Sequence, residues 1–164
     1  IGLDYHWLDA CPKERQQEVF AAQLELAQKL ALPVVVHDRE AHADCLSITG
    51  RYPKLRGVFH CFSGSREMAE ELLKRGWYLG FDGPVTYKNA RKSLEVLEIT
   101  PLERILLETD SPYLPPVPFR GKRNDSTKLK YIAETVAGVK GVGVEELAEI
   151  TSENARRLFG LPDA

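Results

Sequence analysis

RILLETDSPYL, Arg104 to Leu114, is the stretch on which the fold turns. Ile105 to Glu108 reads as a strand buried on both faces. The Ser111-Pro112 pair ends it, because a proline ring biases the residue before it away from helix. Asp110 then sits where a buried strand meets a loop, and Pro112, Pro115, Pro116 and Pro118 stiffen the exit without making it helical. In a parallel sheet that junction is where chemistry is placed, because loops there vary while the strands stay rigid.

Working outward, the same grammar repeats. Leu32 to Val36 is a β-branched run, read as a strand covered on both faces and ending in His37. Gly57-Val58-Phe59 ends in His60, Trp77 to Phe81 ends at Asp82, and Ile1 to Tyr5 is a short strand whose exit Asp4 marks. Between these lie helical patterns. Phe20, Leu24, Ala27 and Ala31 recur on one face of Pro12 to Ala31, and a second helix covers roughly Ala41 to Thr49. Ser65 is placed to cap a third with Met68, Ala69, Leu72 and Leu73 facing inward, and Gly76 to close it. A fourth runs through Ala90, Leu94 and Leu97, and a fifth carries Leu129, Ile132, Ala133 and Val136. Two short helices, Glu145 to Ile150 and another capped by Thr151 or Ser152 and ended by Gly160, are expected to pack outside the sheet. Strand exits near residues 37, 60, 82 and 110 are about 22 to 28 residues apart, the spacing of consecutive βα units. This predicts an α/β fold, either a parallel barrel or a doubly wound sheet.

Composition bounds the function. A chain of 164 residues forms one domain over residues 1–164 and buries roughly 70% of its unfolded surface, enough for a core without staples. Cys11, Cys45 and Cys61 form no CxxC pair, a pattern of a reduced cytoplasmic protein rather than a disulfide scaffold. No apolar run approaches a membrane span, and Asp4, His6 and Asp9 break up any signal-peptide core. A net charge of −2 excludes a surface coated with basic residues, so any contact with a polyanion is local.

His37, His60 and Asp110 each follow an apolar strand, so a parallel sheet places all three at one end. Two imidazoles and a carboxylate suit a divalent cation such as Zn²⁺, Mn²⁺ or Mg²⁺. The plain alternative for any one histidine is a strand end hydrogen-bonded to backbone; the shared position of the three favours the cation. Glu108 lies on the same strand face as Asp110, as an outer partner of the centre or a carboxylate satisfied in the sheet interior. Alternation turns Cys61 away from His60, toward a core role, and His6 and His42 read as surface or loop residues. Arg39, Arg120, Lys122 and Arg123 are candidate phosphate contacts, with Tyr113 a candidate base-stacking residue. The plain readings are a solvated basic loop and a packing tyrosine.

Long blocks then match in order: IGLDY, Gln16 to Asp44 (QxxxFxxQLxLAxxLxLPVVVHxRxAxxD), GVFHCFSG from Gly57 to Gly64, LLETDSPYL, RGKRN from Arg120 to Asn124, and TSENARRLFGL from Thr151 to Leu161. With these the chain resembles the TatD family of metal-dependent deoxyribonucleases, amidohydrolase-like TIM barrels. The resemblance implies that His37 and His60 are the ligands ending the fifth and sixth strands and Asp110 the ligand after the eighth. It implies a (β/α)8 barrel of which this chain is the C-terminal part, from the end of strand four through strand eight. A His-x-His pair and a Glu before IGLDY, also part of the pattern, fall outside the 164 residues. The implied chemistry is DNA phosphodiester hydrolysis at two divalent ions, with Asp110 both ligand and handler of the attacking water. The competing readings are a catalytically incomplete fragment whose missing strands come from the parent chain or another chain, and a metal hydrolase of small esters or amides. As a fragment, the chain is expected to leave a long, flat, apolar edge at Arg104 to Asp110.

Overall fold

A computed structural model describes residues 1–7 and 11–162; Asp9 lies outside the described residues. Five parallel strands stand side by side in sequence order: β1 (Gly2–Asp4), β2 (Val34–Arg39), β3 (Gly57–Phe59), β4 (Tyr78–Phe81) and β5 (Ile105–Leu107). The connections carry α1 (Lys13–Leu30), α2 (His42–Thr49), α3 (Arg66–Lys74) and α4 (Arg91–Ile99), and α5 (Leu129–Lys140) and α6 (Val144–Phe159) follow β5. This is the α/β architecture expected, the curved parallel arc of a (β/α)8-type barrel.

Register decides which residues share a face. Gly2 pairs with His37, Val35 with Val58, Val58 with Tyr78, and Gly80 with Leu106. Successive side chains alternate, so one face carries Val34, Val36, Phe59, Leu79, Phe81 and Ile105. These pack against Phe20 and Leu24 of α1, Ala69 and Leu72 of α3, Leu97 of α4, and Ile132 and Val136 of α5 in one continuous core. The other, inner face carries Val35, Val58, Tyr78 and Leu106, and beyond them the polar strand exits.

Most local expectations hold. Ser65 Oγ accepts from the Met68 N–H at 3.3 Å to cap α3, and Gly76 and Gly160 adopt the left-handed conformation that closes helices. Several do not. Ala31 is exposed beyond the end of α1, in a left-handed cap. β2 continues through His37 to Arg39, because pairing with β1 reaches that far. Val35 is 42% exposed rather than covered on both faces: it points to the inner face, into a groove of about 500 Å³ shared with Val58, Leu106, Ala155 and Phe159.

The chain end is corrected most. Residues 144–159 form one continuous helix, because Thr151 and Ser152 stay inside its hydrogen-bonded run instead of capping a new one. Nor does this helix lie outside the sheet: Leu158 and Ala155 pack with Val58, Tyr78 and Leu106 on the inner face. Burying that apolar cluster outweighs the exposed alternative. The β5 edge is short, three residues, and Asn154 blunts it by donating through Nδ2 to the Leu102 and Ile105 carbonyls at 2.8 and 2.9 Å. Among the described residues no helix is long and apolar enough to cross a membrane.

Asn154 is 1% exposed and leaves two carbonyls without partners when shortened. Asn154→Ala is expected to cost about 2–4 kcal/mol of unfolding free energy, by loss of buried hydrogen bonds. Denaturant titration checks it; a loss under about 0.5 kcal/mol would remove Asn154 as the pin between α6 and β5.

Candidate metal centre

Parallel register carries the inner-face parity up to the strand exits, where Asp4, His37, His60, Asp82 and Glu108 all point the same way. His37 Nδ1 lies 3.0 Å from His60 Nε2, and the two rings stack with centroids 5.2 Å apart. His37 Nε2 is 3.0 Å from Asp4 Oδ2. Gln16 holds Asp4 by both backbone groups, its Oε1 accepting the Asp4 N–H and its Nε2 donating to the Asp4 carbonyl, each at 2.9 Å. Burial alone would raise the Asp4 carboxyl, but hydrogen bonds from His37 and the His6 N–H outweigh it and keep it below the ordinary carboxylate value. His60 is pushed below its ordinary value by burial, then by the neighbouring His37.

His37, His60 and Asp110 line one cleft of about 370 Å³ at the strand exits, together with Asp38, Arg39, His42 and Cys61. The three residues expected to converge therefore do so. Arg39 lines the same cleft. Arg120 instead lies over the Tyr87 ring, 4.3 Å from its centroid, while Tyr87 donates to the Pro115 carbonyl at 3.0 Å. Lys122, Arg123 and Tyr113 are exposed on the loop that follows, with Tyr113 69% exposed. His42 is not a loop residue. It begins α2, faces the cleft and pairs with Asp38 at 2.9 Å, a bond that raises its ionisation above the ordinary histidine value. His6 is at the surface, 2.7 Å from Glu40.

Glu108 is held inside by its neighbours. Its Oε1 accepts the Cys61 N–H and its Oε2 is 3.9 Å from His60 Nδ1. Gly80 makes room for it, since a Cβ there would meet Glu108 Oε1 at 2.3 Å and the His60 Cα at 3.2 Å. Burial pushes the Glu108 carboxyl up to about 7, with the charges of Asp82 and Asp110 adding to it.

Two residues of the exits escape sequence reading. Cys61 has a left-handed backbone, φ 45°, which breaks the alternation and swings its thiol toward the exits rather than into the core. Asp82 is 4% exposed, with Oδ2 lacking any hydrogen-bond partner among the described residues. Burial and then the Asp110 charge raise its carboxyl to about 6, against a lowering bond from Cys61. The signal available was Asp82-Gly83: a Cβ at Gly83 would strike the Leu114 carbonyl at 1.8 Å, so the β4 exit is pressed against the loop after Asp110. Two stacked imidazoles and the Asp110 carboxylate on one cleft are donor types that suit a divalent cation.

The family model described as TatD-related DNase matches residues 1–160. The chain is 49% identical over 161 residues to the uncharacterized metal-dependent hydrolase YabD of Bacillus subtilis, covering 97% of this chain and 63% of the relative. It is 42% identical over 170 residues to a protein of Erwinia billingiae named 3'-5' ssDNA/RNA exonuclease TatD, covering 98% of this chain and 64% of the relative. The crystal structure of YJJV, a TatD homologue from Escherichia coli K12, superposes with a TM-score of 0.91 at 33% identity, over 99% of this chain and 62% of that one. The chain thus spans a little over three-fifths of the length of these relatives.

The two buried carboxylates make stability depend on pH. Both are acids whose folded values, about 6 for Asp82 and about 7 for Glu108, lie above their ordinary 3.8 and 4.5. The fold therefore holds more protons than the unfolded chain between about pH 4 and about pH 7, and stability falls as pH rises through that window. In chelator, Asp82→Asn is expected to flatten the decline by on the order of 1–3 kcal/mol across it. Thermal unfolding at a series of pH values checks this, and an unaltered slope would count against the buried, ionisable Asp82.

Proposed function

Because the chain belongs to the TatD-related DNase family, we propose that a protein carrying it at its relatives' length is a metal-dependent hydrolase of nucleic-acid phosphodiester bonds. The observation that carries this reading is the convergence of His37, His60 and Asp110 on one cleft at the exits of a parallel sheet. The name of the Erwinia relative supports single-stranded DNA or RNA as the substrate class.

On this reading His37, His60 and Asp110 hold a divalent cation, which when bound lowers the pKa of a coordinated water and neutralises charge on the phosphate. The residues of the chain do the rest. Asp4 orients the His37 ring through Nε2, and the other nitrogen, Nδ1, faces His60 Nε2. Glu108 faces His60 Nδ1 across 3.9 Å while it holds the Cys61 backbone. Asp110 orients the attacking water and accepts its proton. Arg39 lies within the cleft to grip phosphate oxygens, and Arg120, steadied on Tyr87, continues the positive track toward Lys122 and Arg123. Tyr113, exposed beside that track, offers a ring for a base to stack on.

Asp110→Asn is expected to lower metal-dependent cleavage of a single-stranded oligonucleotide by at least about 100-fold, several kcal/mol of transition-state stabilisation, with little change in unfolding midpoint. Excess chelator should abolish wild-type turnover. Unchanged turnover in Asp110→Asn, or full activity in chelator, overturns the mechanism, and hydrolysis of small esters alone replaces the substrate class. Lys122→Ala should act more mildly, weakening oligonucleotide binding and reducing its logarithmic salt slope by about one, as loss of one phosphate contact does.

A further inference from the structure

Beside the histidine pair, on the β3 and β4 exits, a second group of donors stands close together. Cys61 Sγ, a carboxylate oxygen of Asp82 and one of Asp110 all lie within 4.8 Å of one another. Around a tetrahedral Zn²⁺, with a metal–sulfur length of about 2.3 Å and a metal–oxygen length of about 2.1 Å, two ligand atoms stand about 3.6 Å apart. Side-chain rotations that close the group by about an ångström therefore bring the three donors onto one ion.

Two further observations point to a ligand. Asp82 is 4% exposed, and its Oδ2 is without a hydrogen-bond partner among the described residues; buried carboxylate oxygens are normally satisfied, and one aimed among other donors is a ready ligand. A cavity of about 70 Å³, lined by Cys61, Ser63, Asp82 and Ser93 among others, adjoins the group. That exceeds the space an ion with one water requires. The backbone supports the same assembly: Cys61 and Asp110 are both left-handed, φ 45° and 50°, and at Cys61 this departs from the alternation that would carry the side chain to the outer face.

We propose that Cys61, Asp82 and Asp110 form a cation position of their own, taking a borderline-soft ion of the Zn²⁺ class through one thiolate and two carboxylates. The thiol binds as thiolate and gives its proton to solvent. The thiolate selects Zn²⁺, Co²⁺ or Cd²⁺ over Mg²⁺, which prefers oxygen alone. Asp110 is shared with the histidine centre, and for that residue alone the assignment rests on the function proposed above. The position differs from a purely histidine and carboxylate centre in containing sulfur, and sulfur gives it a signature.

Titrating the chelator-treated protein with Co²⁺ tests it. A near-ultraviolet thiolate-to-cobalt charge-transfer band should grow to one equivalent. Cys61→Ser should abolish the band, Cys11→Ser should leave it, and Asp82→Asn should weaken Co²⁺ affinity at least tenfold. No band in the wild type, or a band that survives in Cys61→Ser, overturns the position. Should Cys61→Ser fail to fold by circular dichroism, Asp82→Asn decides, and unchanged affinity there overturns it. The band needs no substrate. With the protein at its relatives' length, a band without oligonucleotide cleavage leaves this site standing and removes the nuclease reading, whereas cleavage without a band does the reverse.

Discussion

Parallel pairing with side chains that alternate is the constraint on which the rest depends. Once Gly2 pairs with His37 and Val58 with Tyr78, the parity of each strand is set, and the exit residues of the inner parity stand on one face of the sheet, with His37 and His60 on one cleft. Asp4, His37, His60, Asp82 and Glu108 come from residues as much as 104 positions apart, yet need no individual device to converge. A one-residue slip of β2 would turn His37 toward the helices and Val36 toward the cleft. The large core on the outer face, with Val36 and Phe59 almost fully buried, resists that slip.

Convergence has an electrostatic cost. Four carboxylates, Asp4, Asp82, Glu108 and Asp110, and two imidazoles gather at the exits, where burial disfavours charge, so Asp82 and Glu108 hold their protons above the ordinary range. Hydrogen bonds offset part of it: Glu108 accepts the Cys61 N–H, and Asp4 accepts from His6 and faces His37. Asp82 Oδ2 receives no such compensation among the described residues. Groups held this way lose folding stability and gain affinity for a cation, the usual balance at a site where charge is concentrated for use.

The inner face below the exits is managed differently. A partial arc of a barrel leaves Val35, Val58 and Leu106 without the facing strands that fill a closed one. The last helix answers part of this by laying Leu158 and Ala155 across Val58, Tyr78 and Leu106, and by taking the Leu102 and Ile105 carbonyls with Asn154. The groove that remains, with Val35 at its edge, is lined mainly by apolar side chains and reaches Glu108, whereas His37, His60 and Asp110 line a separate cleft at the strand exits.

The sequence by itself determined the order and kind of the elements, the parallel sheet, and the three donors that follow apolar runs, because hydrophobic periodicity, glycine and proline punctuation and strand-end polarity are local properties. His37, His60 and Asp110 were legible in that way, and the long matching blocks added the family. Only the tertiary structure decided the rest. Cys61 leaves the alternation through a left-handed turn that no residue type announces, and Asp82 becomes a buried donor because Gly83 admits the loop of Leu114 against it. The final helix runs unbroken through Thr151 and Ser152 and crosses the inner face, since an apolar cluster between distant strands outweighs two local capping residues. Each of these outcomes depends on atoms far apart in the chain meeting in space, which a one-dimensional pattern does not encode.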